Sequence, residues 1–220
     1  MKNTCILFCI LLLISAVVKP LGLYSQEDTV FRSSMRIGFD VSYPVRTFWE
    51  PEVEQYEVSV DYEMIENIFG VVEAGKLDVN IERDDFDYLS DGLFFRMGAD
   101  FNVLGDATLK GNDIVYVGIR YGYCSQKHRA DNIILTDDYW GIYKTSVDNF
   151  EFDVHWGELL VGMKTELFAN IFIGWSLRFR LVLSGAEDSL MKPYRIGGFG
   201  GGGKSTTFDF NYSVFYRIPF

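Results

Sequence analysis

The sequence predicts an all-β fold, an eight-stranded antiparallel up-and-down transmembrane β-barrel. Three observations support this prediction: eight segments alternate apolar and polar residues, their connections alternate in length, and an apolar leader precedes them. Alternation with period two is typical of a strand with one apolar and one polar face. Closing such strands into a barrel pairs every backbone donor and acceptor, as a bilayer requires.

The first 25 residues are typical of a secretory signal peptide. Met-Lys-Asn precedes an apolar run from Cys5 to Val18, whose 14 residues are fewer than a spanning helix needs. We place the cleavage after Ser25. Residues 26–33 then form a short periplasmic segment, and residues 34–220 form the barrel.

The first two predicted strands are Met35–Val45 and Tyr56–Met64. In the first strand the odd positions are apolar, and in the second strand the even positions are apolar. These positions are expected to face lipid, and the others to face the lumen. The charged residues on the lumen side are Arg36, Asp40, Glu57, Asp61 and Glu63.

The third predicted strand, about Phe69–Leu77, is the weakest, because Glu73 and Lys76 fall on opposite faces. The fourth, Leu93–Val103, alternates clearly and directs Arg96 and Asp100 to the lumen.

The fifth and sixth predicted strands are Val115–Tyr123 and about Asp153–Leu167. The fifth alternates valine, isoleucine and tyrosine with glycine and arginine, whereas the sixth is longer and less regular. The charged residues assigned to the lumen are Arg120, Glu158, Lys164 and Glu166.

The seventh predicted strand is Ile173–Leu183, and the last one runs from Phe208 to Phe220. Their lumen-facing charges are Arg178, Arg180, Asp209 and Arg217. The apolar face of the last strand resembles the C-terminal signal that the barrel-assembly machinery recognises, which makes that machinery an expected partner. This signal consists of Tyr212, Val214, Tyr216, Ile218 and Phe220.

The connections add an independent test, because outer-membrane barrels have short periplasmic turns and longer extracellular loops. With both termini in the periplasm, every long connection falls on the cell exterior. The long connections are Arg46–Gln55, Asp78–Gly92, Cys124–Phe152 and Ser184–Thr206, the short ones Ile65–Ile68 and Phe168–Phe172, and Leu104–Ile114 is intermediate.

The predicted lumen contains charges of both signs in near balance. Eight strands leave an interior just wide enough for side chains to fill, and charges held away from water need partners. We therefore predict a lumen packed with ion pairs, not a pore.

Composition excludes some classes of partner. The net charge is −11, and the leader contains two of the 20 basic and none of the 31 acidic residues, so the remaining chain carries about −13. An acidic chain of this kind argues against a nucleic-acid partner. Without the leader, Cys124 is the one cysteine left, so no internal disulfide is expected.

The stretch GFGGGGKST (Gly198–Thr206) matches the pattern of a phosphate-binding loop, G-x-x-x-x-G-K-[ST]. That site needs a helix after the loop, whereas a strand follows here. We therefore predict no nucleotide and interpret the stretch as a flexible exterior loop.

No catalytic residues, metal site or cofactor are predicted. His128, in the longest connection, and His155, at the start of a strand, are expected to be solvated or interfacial. The acidic stretch Glu82–Asp91 lacks the EF-hand order, so it is expected to be a solvated loop or to bind lipopolysaccharide through divalent ions.

The segment HWGELLVGMKTELFANIFIGWSLRFR (His155–Arg180), followed by KPYRIGGFG and the ending YSVFYRIPF, resembles an uncharacterised family of small outer-membrane barrels from Bacteroidota. The resemblance covers most of the chain after the leader and implies location in the outer membrane of a Gram-negative cell. It brings no catalytic residues with it.

Three functional hypotheses follow. The first is a structural or accessory barrel of the cell envelope, in contact with outer-membrane lipid and an envelope lipoprotein. The second is a small transporter or porin-like channel, which requires an open lumen. The third is an enzyme that modifies lipid A, which requires a catalytic set that the sequence does not display.

Overall fold

A computed structural model describes residues 34–84, 86–104, 113–137, 141–185 and 192–219. In these residues eight antiparallel strands close into a barrel in which the last strand pairs with the first. The predicted fold class is therefore confirmed. The predicted leader, residues 26–33 and Phe220 lie outside the described residues, so the cleavage after Ser25 stays a prediction.

The structure defines the strands as follows. The barrel consists of β1 (Met35–Asp40), β2 (Val53–Ile65), β3 (Ile68–Glu82), β4 (Asp87–Asn102), β5 (Ile114–Asp137), β6 (Gly141–Phe168), β7 (Ile171–Ser184) and β10 (Thr206–Ile218). A helix α1 (Ser42–Arg46) follows β1, and β8 (Arg195–Ile196) pairs with β9 (Gly200–Gly201). No helix of the described residues is long and apolar enough to cross a membrane.

The wall is apolar outside and polar inside, as β7 shows. Ile173, Trp175 and Leu177 are exposed on the outer face, whereas Arg178 and Arg180, on the alternate face, are buried. The exposed apolar residues of all barrel strands form a belt suited to lipid.

Beyond this belt the alternation continues with reversed polarity. On β3, Lys76 is exposed and pairs with the partly exposed Asp78, whereas Leu77, Val79 and Ile81 are buried. The enclosed apolar cluster consists of Val53, Leu77, Val79, Ile81, Tyr88 and Ala130. The barrel therefore continues past the bilayer with a polar outside and an apolar inside, and we call residues 76–84, 86–91, 125–137 and 141–153 the extension.

Two of the predicted loops are wrong. Much of Asp78–Gly92 belongs to β3 and β4, and much of Cys124–Phe152 belongs to β5 and β6. The sequence prediction ended each strand where its outward face stopped being apolar, although the backbone pairing continues. The acidic stretch Glu82–Asp91 accordingly spans the end of β3 and the start of β4.

The position of His128 also differs from the prediction. Its side chain is buried inside the extension, where Nδ1 lies 3.3 Å from the hydroxyl of Tyr88 and the ring packs against Phe150 and Phe152. Burial lowers the pKa of His128, because desolvation disfavours the imidazolium. His155 faces outward, and its Nδ1 lies 2.6 Å from the hydroxyl of Tyr121.

The first strand is shorter than the predicted Met35–Val45, because it ends at Asp40 and α1 follows. Pro44 has no backbone N–H to donate to a strand ladder. The backbone N–H of Ser42 donates to Asp40 Oδ1 at 2.8 Å, which turns the chain. Tyr43, expected to face lipid, is therefore buried, and its hydroxyl donates to Asp209 Oδ2 at 3.2 Å.

Two wall glycines provide a matched test of interior packing. A Cβ on Gly122 would lie 2.1 Å from Cε2 of Trp156, whereas a Cβ on Gly157 would meet nothing within 4 Å. We expect Gly122→Ala to lower the free energy of unfolding by about 1–3 kcal/mol through overpacking. Gly157→Ala should leave this free energy unchanged or slightly raise it. Urea titration in detergent micelles measures both, and equal losses would contradict the packing described here.

Candidate functional site in the barrel lumen

The structure brings the sequence-predicted polar residues together inside the barrel. Eleven of them are buried: Arg36, Asp40, Glu57, Asp61, Arg96, Asp100, Arg120, Glu158, Lys164, Arg178 and Arg180. The other four, Glu63, Glu166, Asp209 and Arg217, are partly buried.

Three arginines and three glutamates meet in the middle of the lumen. We call Glu57, Glu73, Arg96, Arg120, Glu158 and Arg178 the central cluster. Glu73 contacts all three guanidinium groups: its carboxylate lies 2.7 Å from Arg96 Nε, 2.8 Å from Arg178 Nη1 and 3.7 Å from Arg120 Nε. Each of these cations therefore depends on Glu73 for part of its charge compensation.

The other two glutamates complete the central cluster. Glu57 pairs with Arg96, and Glu158 lies 3.1 Å from Arg178 Nη1 and 3.5 Å from Arg180 Nε. Arg180 then continues the network toward Asp209 at 3.2 Å.

Two ion pairs cross the full width of the lumen. In a ring of eight strands β3 faces β7 and β2 faces β6. Glu73 on β3 pairs with Arg178 on β7, and Asp61 on β2 accepts from Lys164 Nζ on β6 at 2.6 Å. Opposite walls are thus joined directly by side chains, and the two contacts run in different directions across the barrel.

Below the central cluster the cations also lie against aromatic rings. The Arg36 guanidinium pairs with Asp61 at 2.7 Å and lies 4.6 Å from the ring centroid of Phe69. Lys164 Nζ lies 4.8 Å from the centroids of both Tyr116 and Phe215. Such contacts stabilise a cation that has lost water.

The buried charges balance. Among the described residues, the buried side chains include six basic and six acidic ones. A buried charge that lacks a partner is costly, whereas a balanced set with direct contacts offsets the desolvation. The basic members are Arg36, Arg96, Arg120, Lys164, Arg178 and Arg180, and the acidic ones are Asp40, Glu57, Asp61, Glu73, Asp100 and Glu158.

Sequence reasoning missed Glu73, although this residue contacts every guanidinium group of the central cluster. Glu73 and Lys76 fall on opposite faces of β3, which weakened the strand prediction. The structure explains why the two charges fall on opposite faces, because Glu73 lies in the lumen and Lys76 lies on the outside of the extension. The signal that could have found Glu73 is its even spacing from Val71 and Leu77 on the buried face.

The glycine-rich segment closes the lumen from above. We call residues 195–201 the plug, and its side chains Ile196 and Phe199 are fully buried. The carbonyl of Gly198 accepts from Arg96 Nη1 at 3.3 Å, and the carbonyl of Phe199 accepts from Arg180 Nη1 at 3.2 Å. The central cluster therefore binds the plug backbone directly.

The prediction of a flexible exterior loop for this stretch is wrong in its plug part. Gln126 holds the plug from the wall: its Nε2 donates to the Arg195 carbonyl at 2.7 Å, and its Oε1 accepts from the Gly197 N–H at 3.0 Å. Gly198 has φ +71, and a Cβ there would lie 2.5 Å from Phe94. Close approach to the wall, not flexibility, requires this glycine.

Cys124, the first residue of the predicted connection Cys124–Phe152, is buried in the interior of β5 beside the plug. A Cβ on Gly197 would lie 3.2 Å from its Sγ. The C-terminal residues Tyr212, Val214 and Tyr216 are exposed on the outer face, with Ile218 partly exposed at the end of β10.

The described residues contain no group of three or more His, Cys, Asp or Glu side chains arranged to hold a metal ion. The strand predicted after GFGGGGKST is present as β10, so no helix presents its amides to this loop. The contacts described in the lumen are ion pairs, hydrogen bonds and contacts between cations and aromatic rings.

A family model described as a domain of unknown function (DUF6048) matches residues 1–220. No curated protein matches the chain. Among solved structures, a major outer membrane protein from Thermus thermophilus is similar, with a TM-score of 0.53 and 7% identity over 86% of this chain and 100% of that one. This likeness supports the barrel fold.

Two further solved structures are similar at lower scores. Neisserial surface protein A has a TM-score of 0.41 and 10% identity over 86% of this chain and 96% of that one. The attachment invasion locus protein Ail of Yersinia pestis has a TM-score of 0.42 and 10% identity over 84% of this chain and 97% of that one.

Glu73 provides the sharpest test of the central cluster. Glu73→Gln keeps the shape but leaves three buried arginines with fewer carboxylates, so we expect the free energy of unfolding to fall by about 3–5 kcal/mol. The control is Asp78→Asn on the same strand, which removes an exposed pair with Lys76 and should cost at most about 1 kcal/mol. Similar losses in both variants, measured by urea unfolding in micelles, would refute the role assigned to Glu73.

Proposed function

We propose that this chain, which belongs to the DUF6048 family, is a closed outer-membrane barrel with a structural or accessory role in the cell envelope. In this proposal it conducts no solute through its lumen, catalyses no reaction and acts together with an envelope protein, for which a lipoprotein is the expected class. The phylum of origin and the export signal stay predictions.

The pair of ion bridges between opposite walls is the observation that carries the proposal. Two side-chain bridges span the lumen across the barrel axis, Glu73 with Arg178 at 2.8 Å and Asp61 with Lys164 at 2.6 Å. Together with the other buried charged side chains, they occupy the cross-section that a hydrated ion would need. The plug covers the same path from above, so an open state requires breaking the buried network and moving residues 195–201.

The barrel offers a surface for a partner above the bilayer. Among the described residues, β5 beyond Asp131 and β6 before His155 pair only with each other. Nearer the barrel, Ile133, Val147 and Phe152 pack against its apolar interior, so we call only residues 134–137 and 141–144 the projecting hairpin. Two strands without further support are marginally stable, and unpaired strand edges readily accept another strand.

Exposed side chains near the tip of the hairpin support the same role. Ile142 is 71% exposed and Tyr143 is 64% exposed, outside the lipid-facing belt. Apolar side chains beyond the belt gain nothing from lipid, whereas a protein partner would bury them.

The expectation that the chain is no enzyme rests on the histidines. His128 is enclosed by Tyr88, Phe150 and Phe152, and His155 bonds to a tyrosine on the outer wall. Ser90 lies opposite His128 and Ser184 lies opposite His155, but each histidine bonds to a tyrosine hydroxyl, and the Ser90 hydroxyl donates to the Lys127 carbonyl at 3.1 Å.

Conductance tests the closed lumen. Purified protein in planar lipid bilayers should give no stepwise ionic current at applied voltages of either sign, because the cross-lumen pairs leave no aqueous path. A porin assayed in parallel verifies the bilayer. Reproducible unitary currents from the wild-type protein would overturn the proposal in favour of a channel.

Affinity purification tests the partner. Tagged full-length protein from native membranes should retain one envelope protein in stoichiometric amount, and Ile142→Asp/Tyr143→Asp should release it. The control is Lys127→Gln, which changes an exposed residue of the extension below the hairpin tip. Retention by the double variant, or no stoichiometric partner at all, would contradict the accessory role.

A further inference from the structure

The barrel wall has a seam between β2 and β10. Because β1 is short, its last pairs are Asp40 with Ser213 on β10 and Phe39 with Val58 on β2. Past these pairs, Thr206–Phe210 and Val53–Glu57 have no described strand between them.

Helix α1 lies at the seam and bonds both of its sides. Arg46 Nη2 donates to the Phe210 carbonyl on β10 at 3.0 Å, and the Thr47 hydroxyl, just after the helix, donates to the Val53 carbonyl on β2 at 3.3 Å. These are individual side-chain bonds, in contrast to the continuous ladders elsewhere in the wall. The seam is therefore the least tightly closed part of the barrel.

A cavity of about 320 Å³ lies at this seam, next to the plug. Its lining carries more basic than acidic residues, although the whole chain is acidic, and one of the basic residues, Arg195, pairs with Glu50 at 3.0 Å. The charged lining residues are Arg46, Arg180, Arg195, Lys204 and Asp209. A cationic cavity on an acidic protein attracts anions locally while the rest of the surface repels them.

The donors of this cavity exceed its acceptors. Asp209 already accepts from Arg46, Arg180 and Tyr43. Arg180 Nη2 and Gln55 Nε2, both on buried lining residues, have no hydrogen-bond acceptor among the described residues. A buried donor without an acceptor is costly, and an oxygen-rich ligand would recover this cost after small side-chain rotations.

A phosphate group fits this donor set best, because guanidinium groups bind phosphate oxygens through paired N–H donors and lysine adds a point charge. The volume lies at the lower end of the range for ligand sites, about 300–1,000 Å³, so the cavity suits a headgroup and not a whole lipid.

Apolar residues at the seam indicate where the remainder of the ligand lies. Phe208 lines the cavity and is 78% exposed on the lipid-facing side of β10, while Phe48 and Trp49, just after α1, are 85% and 76% exposed. A ligand with an anionic head in the cavity would rest its apolar part on these rings. A soluble phosphate has no apolar part that could pack on these rings.

We propose that this cavity binds the phosphate group of an anionic lipid, which enters sideways through the seam between β2 and β10. This proposal does not depend on the proposed function, because the cavity could bind a lipid whether or not the lumen is closed.

Lipid titration tests the proposal. Full-length protein in dodecylmaltoside micelles is titrated with dioleoyl phosphatidic acid, with dioleoyl phosphatidylcholine and with inorganic phosphate, and bound ligand is counted by native mass spectrometry. We expect one phosphatidic acid per barrel, bound at least tenfold more tightly than either of the others. Lys204→Gln/Arg195→Gln should lose at least tenfold in this affinity.

Control variants distinguish a loss of lipid binding from a loss of folding. Lys127→Gln, an exposed cation away from the cavity, should bind phosphatidic acid like the wild type. Phe208→Ser should weaken the lipid and leave any binding of inorganic phosphate unchanged. Unchanged heat-modifiable migration on gels verifies that each variant is folded.

The outcomes are distinct. Inorganic phosphate bound as tightly as the lipid would overturn the lipid as the source of the phosphate. Phosphatidic acid bound equally by the wild type and the Lys204→Gln/Arg195→Gln variant would overturn the site itself.

Discussion

The neutralisation of charge across the lumen is the constraint on which the rest of this structure depends. An eight-stranded wall encloses a space too narrow for bulk water, so each cation there needs a carboxylate within contact distance. Glu73 and Arg178 come from opposite strands, and they meet only if the register of every strand between them is correct. A slip of one residue would turn the charges toward lipid and the apolar belt inward. The network therefore specifies the register as well as filling the space.

The reversal of polarity along β3 and β5 follows from a change of solvent. Where lipid surrounds the wall, the outside is apolar and the inside holds ion pairs. Where water surrounds it, Lys76 and Lys127 face out, and Leu77 and Ala130 are enclosed. The strands continue through the boundary because backbone pairing depends on neither solvent. The extension thus resembles the core of a water-soluble protein above a membrane barrel, and it supports the plug from outside the bilayer.

The lipid-facing half of the fold could be predicted from the sequence, and the remainder could not, for identifiable reasons. The exposure of residues such as Ile173 and Trp175 could be predicted, because a lipid-facing wall has apolar side chains at every second position. Glu73 could not be assigned to the lumen, because Lys76 places a charge on the opposite face of the same strand. The outer face passes from lipid to water between these two residues, and the local sequence does not show where. The plug could not be predicted either. A glycine-rich stretch is compatible with a flexible loop and also with a backbone that packs closely against other residues, and only the contact between Gly198 and Phe94 distinguishes these two cases. The helix α1 had a signal in Pro44, whose missing N–H excludes it from a central strand.

The early end of β1 leaves backbone groups of β2 and β10 without strand partners, and this gap is the seam. Unpaired backbone groups are expensive in lipid, so β2 and β10 can diverge only where other donors reach them. Arg46 meets this need at the Phe210 carbonyl, and the same side chain pairs with Asp209, which Arg180 also contacts. Arg180 in turn binds the plug carbonyl of Phe199. One chain of contacts therefore runs from the lateral edge of the barrel to its plug. The axis of the barrel is crossed by ion pairs, whereas its side is closed by a helix held through individual hydrogen bonds.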